Sequence, residues 1–330
     1  MSGSVDIVVV TYNSRAHIAA CLDSIPESAF DGTVRTVVVD NHSSDDTVAL
    51  VLTHHPAVEL IVNSANRGFA AACNQGIRAT AGEFILLLNP DAQLLPSTVA
   101  RLVSYLRRHP AVGIVGPSLR STGGALQRDI SATGLFPSFP QALSEYTRLS
   151  RVYPESKWHR DYFLTDWDRM SSRPVAMVQG ACFMFRRALL DDIGYFDERF
   201  FLYFEETDFC KRAKEIGWEV HYVGDAAAIH IGGQSMVGRR QSARQFIASM
   251  YLFHRKHYGV LEAAVLWGVL MPYHCLRALR LAATVPFKPH DRQLRADLRT
   301  AVERFVAHWQ LMLAPGTTLP GTSAGAPCAP

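Results

Sequence analysis

Four runs rich in Val, Ile and Leu are each followed at once by polar residues. Thr11-Tyr12-Asn13 follows Val5–Val10, and Asp40-Asn41-His42-Ser43-Ser44-Asp45 follows Val34–Val39. Asn63 and then Asn66-Arg67-Gly68 follow Val58–Val62, and Asn89-Pro90-Asp91 follows Glu83–Leu88. In an open parallel sheet, ligands bind beyond the carboxyl ends of the strands, where these hydroxyls, amides and carboxylates would converge. No GxGxxG follows the first run and no GxxxxGK[ST] occurs, which excludes a dinucleotide fingerprint and a P-loop. What remains is a nucleotide pocket built on Asp40 with an aromatic or hydroxyl wall. Asp91 is placed for a hard divalent ion, Mg²⁺ or Mn²⁺, shared with phosphate oxygens. The Asn89-Pro90 pair equally describes a plain turn. Further on, Glu205-Glu206-Thr207-Asp208 offers three carboxylates at the start of an expected helix, with Glu205 and Asp208 on one face. A carboxylate there could act as general base, though acids in a first turn also suit the helix dipole.

The elements that would hold these residues alternate. The apolar runs named above, and Val112–Val115, read as buried strands; His17–Ile25, Thr47–His54, Phe69–Thr80 and Ser97–His109 read as helices. This alternation predicts an α/β fold with a mostly parallel sheet and helices on both faces. Arg120–Arg173, rich in Ser, Pro, Gly and aromatics, reads as long loops. Pro174–Phe185 reads as one strand, Arg186–Ile193 and Thr207–Ile216 as helices, Glu219–Val223 as a strand and Gln241–His257 as a helix. Ala314–Pro330 has the composition of a disordered tail.

With 48% hydrophobic and 19% charged residues in 330, the chain is neither disordered nor a disulfide scaffold. Its six cysteines form no CxxC pair and no signal-like segment precedes the first strand, so the expectation is reduced thiols in a cytoplasmic body. The net charge of +3 is too small to argue for nucleic acid, but it is unevenly spread. Met1–Gly238 holds 21 basic and 26 acidic residues, net −5, and the remainder holds 12 and 4, net +8. The longest uncharged part of the apolar Val260–Phe287 stretch is Ala263–Leu276, shorter than the ~20 residues of a spanning helix. A basic, apolar C-terminal region of this kind suits a membrane surface with anionic headgroups. A solvated helical extension or a homodimer interface would carry the same pattern. The expected division is a domain at 1–238, a helical region at 239–313 and a tail at 314–330.

Together these motifs resemble the inverting family 2 glycosyltransferases. The likeness is carried by Val8–Asn13, Val39–Asp45, Asn66–Ala70, Leu88–Ala92, Gly180–Arg187 and Phe196–Asp208, over about Val5–Gly259. Within that family the chain is most similar to bacterial rhamnosyltransferases of cell-wall and O-antigen assembly. The resemblance implies a GT-A fold and a nucleotide-sugar donor, dTDP-L-rhamnose, with a polyprenyl-diphosphate-linked saccharide as acceptor. Thr11, Tyr12, Asn13 and Asp40 would hold the nucleoside, with Asn66, Arg67 and Gly68 near the base or phosphates. Asp91 stands where the family's DxD motif has its metal ligand, with Asn89 replacing the first Asp. His230, before Gly232-Gly233, matches a histidine that completes the metal site in related enzymes. Glu205 aligns with the base and Glu206 is the second candidate, Asp208 orienting a neighbour or capping the helix. Gln179, Gly180 and Trp167 would shape the acceptor pocket; Trp167 could equally pack in the core. The implied location is peripheral, on the inner face of the membrane. Two rivals are a non-catalytic nucleotide-sugar-binding subunit, which needs no base, and a sugar nucleotidyltransferase. The latter needs a Gly-rich signature that Thr11–Arg15 lacks.

Overall fold

The computed structural model describes residues 3–28, 30–127, 132–232, 239–288 and 290–313. Its frame is a nine-stranded mixed sheet in the order β3-β2-β1-β4-β10-β6-β11-β5, with β8 paired to β11. The strands are β1 (Ser4–Thr11), β2 (Thr33–Asp40), β3 (Glu59–Val62), β4 (Phe84–Leu88), β5 (Ala92–Leu94) and β6 (Val112–Arg120). A small second sheet pairs β7 (Ala132–Thr133) with β9 (Met177–Val178); β8 is Arg173–Pro174, β10 Cys182–Arg186 and β11 Glu219–His230. β1 to β4, β6 and β11 run in one direction, while β5, β8 and β10 run against them.

The period-two rule explains why the central strands read as unbroken apolar runs. Val5, Ile7 and Val9 of β1 face one core while Val8 and Val10 face the other, so both faces are buried. α1 (Ile18–Glu27), α2 (Thr47–His54) and α4 (Thr98–Arg108) cover the first face. α3 (Phe69–Arg78) covers the second. The expected α/β layering is therefore present.

Three expectations are corrected. Arg120–Arg173 is not all loop: besides β7 it holds α5 (Phe139–Tyr146), α6 (Leu149–Val152) and α7 (Lys157–Phe163). These helices are one or two turns long, too short to show a period. Pro174–Phe185 is not one strand but three pieces, because Gln179-Gly180 turns the chain between β9 and β10. β11 continues to His230, its pattern interrupted by a register shift between Val223 and Ala227.

After the short α8 (Leu189–Ile193), α9 (Glu205–Glu215) opens two residues earlier than its apolar spacing indicates, since Tyr203 and Phe204 turn through positive φ. The last described helices are α10 (Arg239–His257), α11 (Val260–Thr284) and α12 (Arg292–Leu313). No helix among the described residues is long and apolar enough to cross a membrane. Met250 and Phe253 of α10 and Leu266 and Leu270 of α11 form one apolar cluster with Phe200, Phe204 and Ala142. The C-terminal helices therefore share a core with the sheet domain's edge. The expected 238/239 boundary, Gly233 and the 314–330 tail lie outside the described residues.

Candidate active site

Parallel pairing sets Thr11, the last residue of β1, beside Asp40, the last of β2, and Asp40 beside Val62 of β3. Thr11 Oγ1 and Asp40 Oδ1 are buried without a hydrogen-bond partner, while Asp40 Oδ2 accepts the Ser43 amide at 2.9 Å. The loops after β1 and β2 are tied together. Asn13, at φ +50°, accepts the Ser44 amide on Oδ1 at 2.7 Å and donates its own amide to Ser43 Oγ at 2.8 Å.

Asn41, which the motif reading passed over as a site residue, is the hub of the third loop. Its Nδ2 donates to Asn66 Oδ1 (2.9 Å) and Gly68 O (3.1 Å); its Oδ1 accepts from Asn63 Nδ2 (3.2 Å) and the Arg67 amide (2.9 Å). Its place directly after Asp40 was the available signal. The side chains of Tyr12 and Arg67 stay accessible at this edge. Gly68 adopts φ +87°, and a Cβ there would lie 2.8 Å from Phe201 O and Cδ2. Gly68→Ala is expected to cost about 1–3 kcal/mol from the strained backbone alone, and the clash adds to it. The readouts are a lower Tm and a higher donor KM; an unchanged Tm would contradict the packing described.

After β4 the chain turns at Asn89–Asp91 and returns as β5, whose Ala92 pairs with His230 at the end of β11. This return brings His230 Nε2 to 3.6 Å from Asp91 Oδ1, and the Ile231 amide donates to Asp91 O at 3.1 Å. Gln127 Oε1 lies 3.4 Å from His230 Nδ1, and its Nε2 donates to His230 O at 2.6 Å. Burial lowers the His230 pKa against the opposing charge of Asp91, favouring the neutral imidazole a metal ligand needs. No group of three or more His, Cys, Asp or Glu among the described residues is arranged to hold a metal ion by itself. One carboxylate, one imidazole and the buried, unpartnered Asn89 Oδ1 nonetheless fit a Mg²⁺ or Mn²⁺ ion completed by phosphate oxygens.

The third part comes from α9. β10 lies beside β4, and the Asn89 amide donates to Ala181 O at 3.0 Å. Gly180 faces Glu206, whose Cβ and Cγ lie 3.6 Å from where a Gly180 Cβ would stand. Gln179 Oε1, Glu205 Oε2 and Glu206 Oε2 are all buried without partners. Both glutamates are pushed above the usual carboxylate range. For Glu205 the causes are burial and then repulsion from Glu206; for Glu206, burial outweighs amide bonds from the helix start and Gly180. Such raised, unsatisfied acids are what a general base at neutral pH requires.

Residues 6–194 match the family model Glycosyl transferase family 2, and residues 137–317 match Glycosyl transferase family group 2. The chain belongs to glycosyl transferase family 2. It is 29% identical over 287 residues to the N-acetylglucosaminyl-diphospho-decaprenol L-rhamnosyltransferase of Mycobacterium tuberculosis, covering 81% of this chain and 89% of the relative. It is 25% identical over 242 residues to the low-salt glycan biosynthesis hexosyltransferase Agl10 of Haloferax volcanii, covering 70% and 68%. Among solved structures, the mannosyltransferase PcManGT from Pyrobaculum calidifontis, in complex with GDP-Man and Mn²⁺, superposes with TM-score 0.54 at 19% identity. That likeness covers 96% of this chain and 89% of that one. It bears out the GT-A fold.

Two residues expected at the transferase's site stand apart from this edge. Trp167 is buried edge-on against Tyr222, at the far end of β11 from His230, with Nε1 donating to Ser171 Oγ at 3.0 Å. Its apolar surface is taken up by the core, so the acceptor role expected of it is not supported by its position. Asp208 is fully buried behind the first turn of α9. It is held by Lys256 Nζ (2.6 Å), His257 Nε2 (2.8 Å) and Arg212 Nε (2.8 Å). Burial alone would raise its pKa, but the His257 bond and the Arg212 and Lys256 charges outweigh it and keep the carboxylate ionised. Those contacts suit a residue that positions the helix.

Proposed function

We propose that this transferase moves an L-rhamnosyl group, with inversion, from dTDP-L-rhamnose to a saccharide carried on polyprenyl diphosphate at the inner membrane face. The observation that carries the reading is the buried Glu205–Glu206 pair, one oxygen of each without a partner, beside Gly180 and the Asn89–Asp91 turn that also holds His230. The mycobacterial relative, an N-acetylglucosaminyl-diphospho-decaprenol L-rhamnosyltransferase, supports the sugar and the lipid carrier.

In this reading Thr11 and Asp40 receive the nucleoside, the free Asp40 oxygen accepting the N3–H of a pyrimidine. The Asn41-held loop presents Asn66, Arg67 and Gly68 toward the base and phosphates. A divalent ion bound by Asp91 and His230 would neutralise charge on the departing diphosphate. Glu205 removes the proton from the acceptor hydroxyl as that oxygen attacks the anomeric carbon from the face opposite the leaving dTDP. Glu206, one residue on, keeps the Glu205 pKa high and is the alternative base. Gln179 and Gly180 line the acceptor side.

Thermal-shift measurements against a panel of nucleotide sugars, with and without Mn²⁺, rank the donors, because ligand stabilisation follows mass action. The largest shift is expected for dTDP-rhamnose with Mn²⁺, followed by transfer of radiolabelled rhamnose to an N-acetylglucosaminyl-diphospho-polyprenol. A larger shift with UDP-GlcNAc or GDP-mannose, and no transfer of label, would reject the donor assignment.

A further inference from the structure

The outer side of the C-terminal helices carries apolar residues that no other described residue covers. On α11, Leu261, Val265, Val269, Leu276 and Leu279 recur at helical spacing and are all exposed, while Leu266, Leu270 and His274 on the opposite side are buried. α11 and α12 are joined by a short connection at whose start Phe287 is 85% exposed. On α12, which packs against α11, Val302, Val306 and Trp309 are exposed as well. The same end carries exposed cations: Arg280, Lys288, Arg292, Arg295 and Arg299. Of the acids nearby, Asp297 is taken by Arg148 (3.1 Å) and Arg277 (3.6 Å), and Glu303, like Arg295, has a partner of its own. Asp291 accepts the Leu294 amide at the start of α12 (2.9 Å).

We infer that the α11–α12 hairpin is a docking platform for an anionic lipid bilayer, its apolar stripe entering the headgroup boundary and its cations meeting lipid phosphates. This rests on the lipid-linked acceptor proposed above. Charge selects the occupant. A two-fold contact with a second copy would meet this patch with the same excess of cations and offer it no added negative charge. A bilayer rich in anionic lipid instead complements both the apolar stripe and its basic end. The hairpin does not span, since Arg277 and Arg280 interrupt α11.

The platform is also one layer of side chains from the chemistry. Phe204, the residue before Glu205, packs in the same cluster as Leu266 and Leu270 of α11. Tyr273 Oη donates to Thr147 O at 2.5 Å, tying α11 to the segment that leads into α6 and α7. Leu149, Tyr153 and Trp158 of that segment are exposed as well. A lipid-borne acceptor in the bilayer plane would thus be presented beside the start of α9.

Vesicle flotation of the full chain tests this, using phosphatidylcholine with and without phosphatidylglycerol. Binding is expected only with the anionic lipid, weakened by salt. It should fall about 30-fold in the Arg292→Gln/Arg295→Gln variant, at roughly tenfold or less per charge, and be lost in Leu276→Glu/Leu279→Glu. Nucleotide-sugar thermal shifts should be unchanged in both variants, which shows that they fold and separates the two readings. Lost donor binding with intact flotation would sink the donor reading alone. Donor binding without flotation would overturn the platform. A wild-type dimer that Leu276→Glu/Leu279→Glu converts to monomer would give the patch to a second copy instead.

Discussion

Glu205→Gln is expected to lower kcat by about 10²–10⁴ while raising the Tm of the ligand-free protein near neutral pH. The two effects share a cause. Glu205 Oε2 is buried without a donor, and burial together with the neighbouring Glu206 holds the carboxyl above its ordinary range. A base so placed is unstable as an anion until an acceptor hydroxyl meets it. A group whose folded pKa is raised contributes stability fully below its unfolded pKa, about 4.3, and loses it as pH rises through the folded pKa. The Tm advantage of Glu205→Gln should therefore be absent at acid pH and grow toward neutrality. Activity runs the other way: it needs the deprotonated form, so the acid limb of kcat/KM should lie above the usual carboxylate range. Glu206→Gln removes the neighbouring charge, so the acid limb should move to lower pH while substantial activity remains. If Glu206 is the base, the two phenotypes exchange. Full activity in both variants would remove the base from this pair altogether.

The parts of this site that were legible in the sequence are those fixed by neighbours in the chain. Thr11, Asp40 and Asp91 follow apolar runs whose unbroken character comes from burial on both sheet faces, so their shared edge follows from topology. Thr47–His54 appears with the bounds its spacing predicts. What was hidden depends on contacts between distant segments. Residues 224–230 continue β11 past an irregularity that breaks the two-residue alternation, and only the antiparallel return of β5 sets His230 beside Asp91. The family resemblance, not periodicity, pointed to that histidine. Trp167 was ambiguous in principle, because an aromatic that stacks on sugar and one that fills a core have the same composition signal. Asn41 was hidden by its neighbour: Asp40 drew the functional reading, while the side chain that fastens the loop carries no charge.

Asp208 is the clearest case of a role written in residues far along the chain, and Asp208→Asn is expected to destabilise the protein by about 3–5 kcal/mol. The carboxylate has no exposed surface and meets Arg212 of its own helix and Lys256 and His257 of α10. Lys256 also reaches Asp197 Oδ2 at 2.8 Å, and Arg212 Nη2 donates to Tyr195 O at 2.9 Å. One buried anion thereby joins α9, the loop before it and α10. Removing its charge leaves Lys256 and Arg212 partly desolvated around a neutral amide, which costs more than the attraction alone. The folded pKa of Asp208 is depressed, so its stabilisation is present above the unfolded pKa, about 3.9, and is lost as pH falls through the folded value. In urea titrations the gap between wild type and Asp208→Asn should therefore close on acidification. Adding Lys256→Met should restore part of the loss, with a coupling of about 0.5–3 kcal/mol. Because Asp208 lies one turn beyond Glu205, the variant should lose kcat with the donor KM held. A change in stability within about 0.5 kcal/mol of wild type would return Asp208 to the ranks of ordinary first-turn acids.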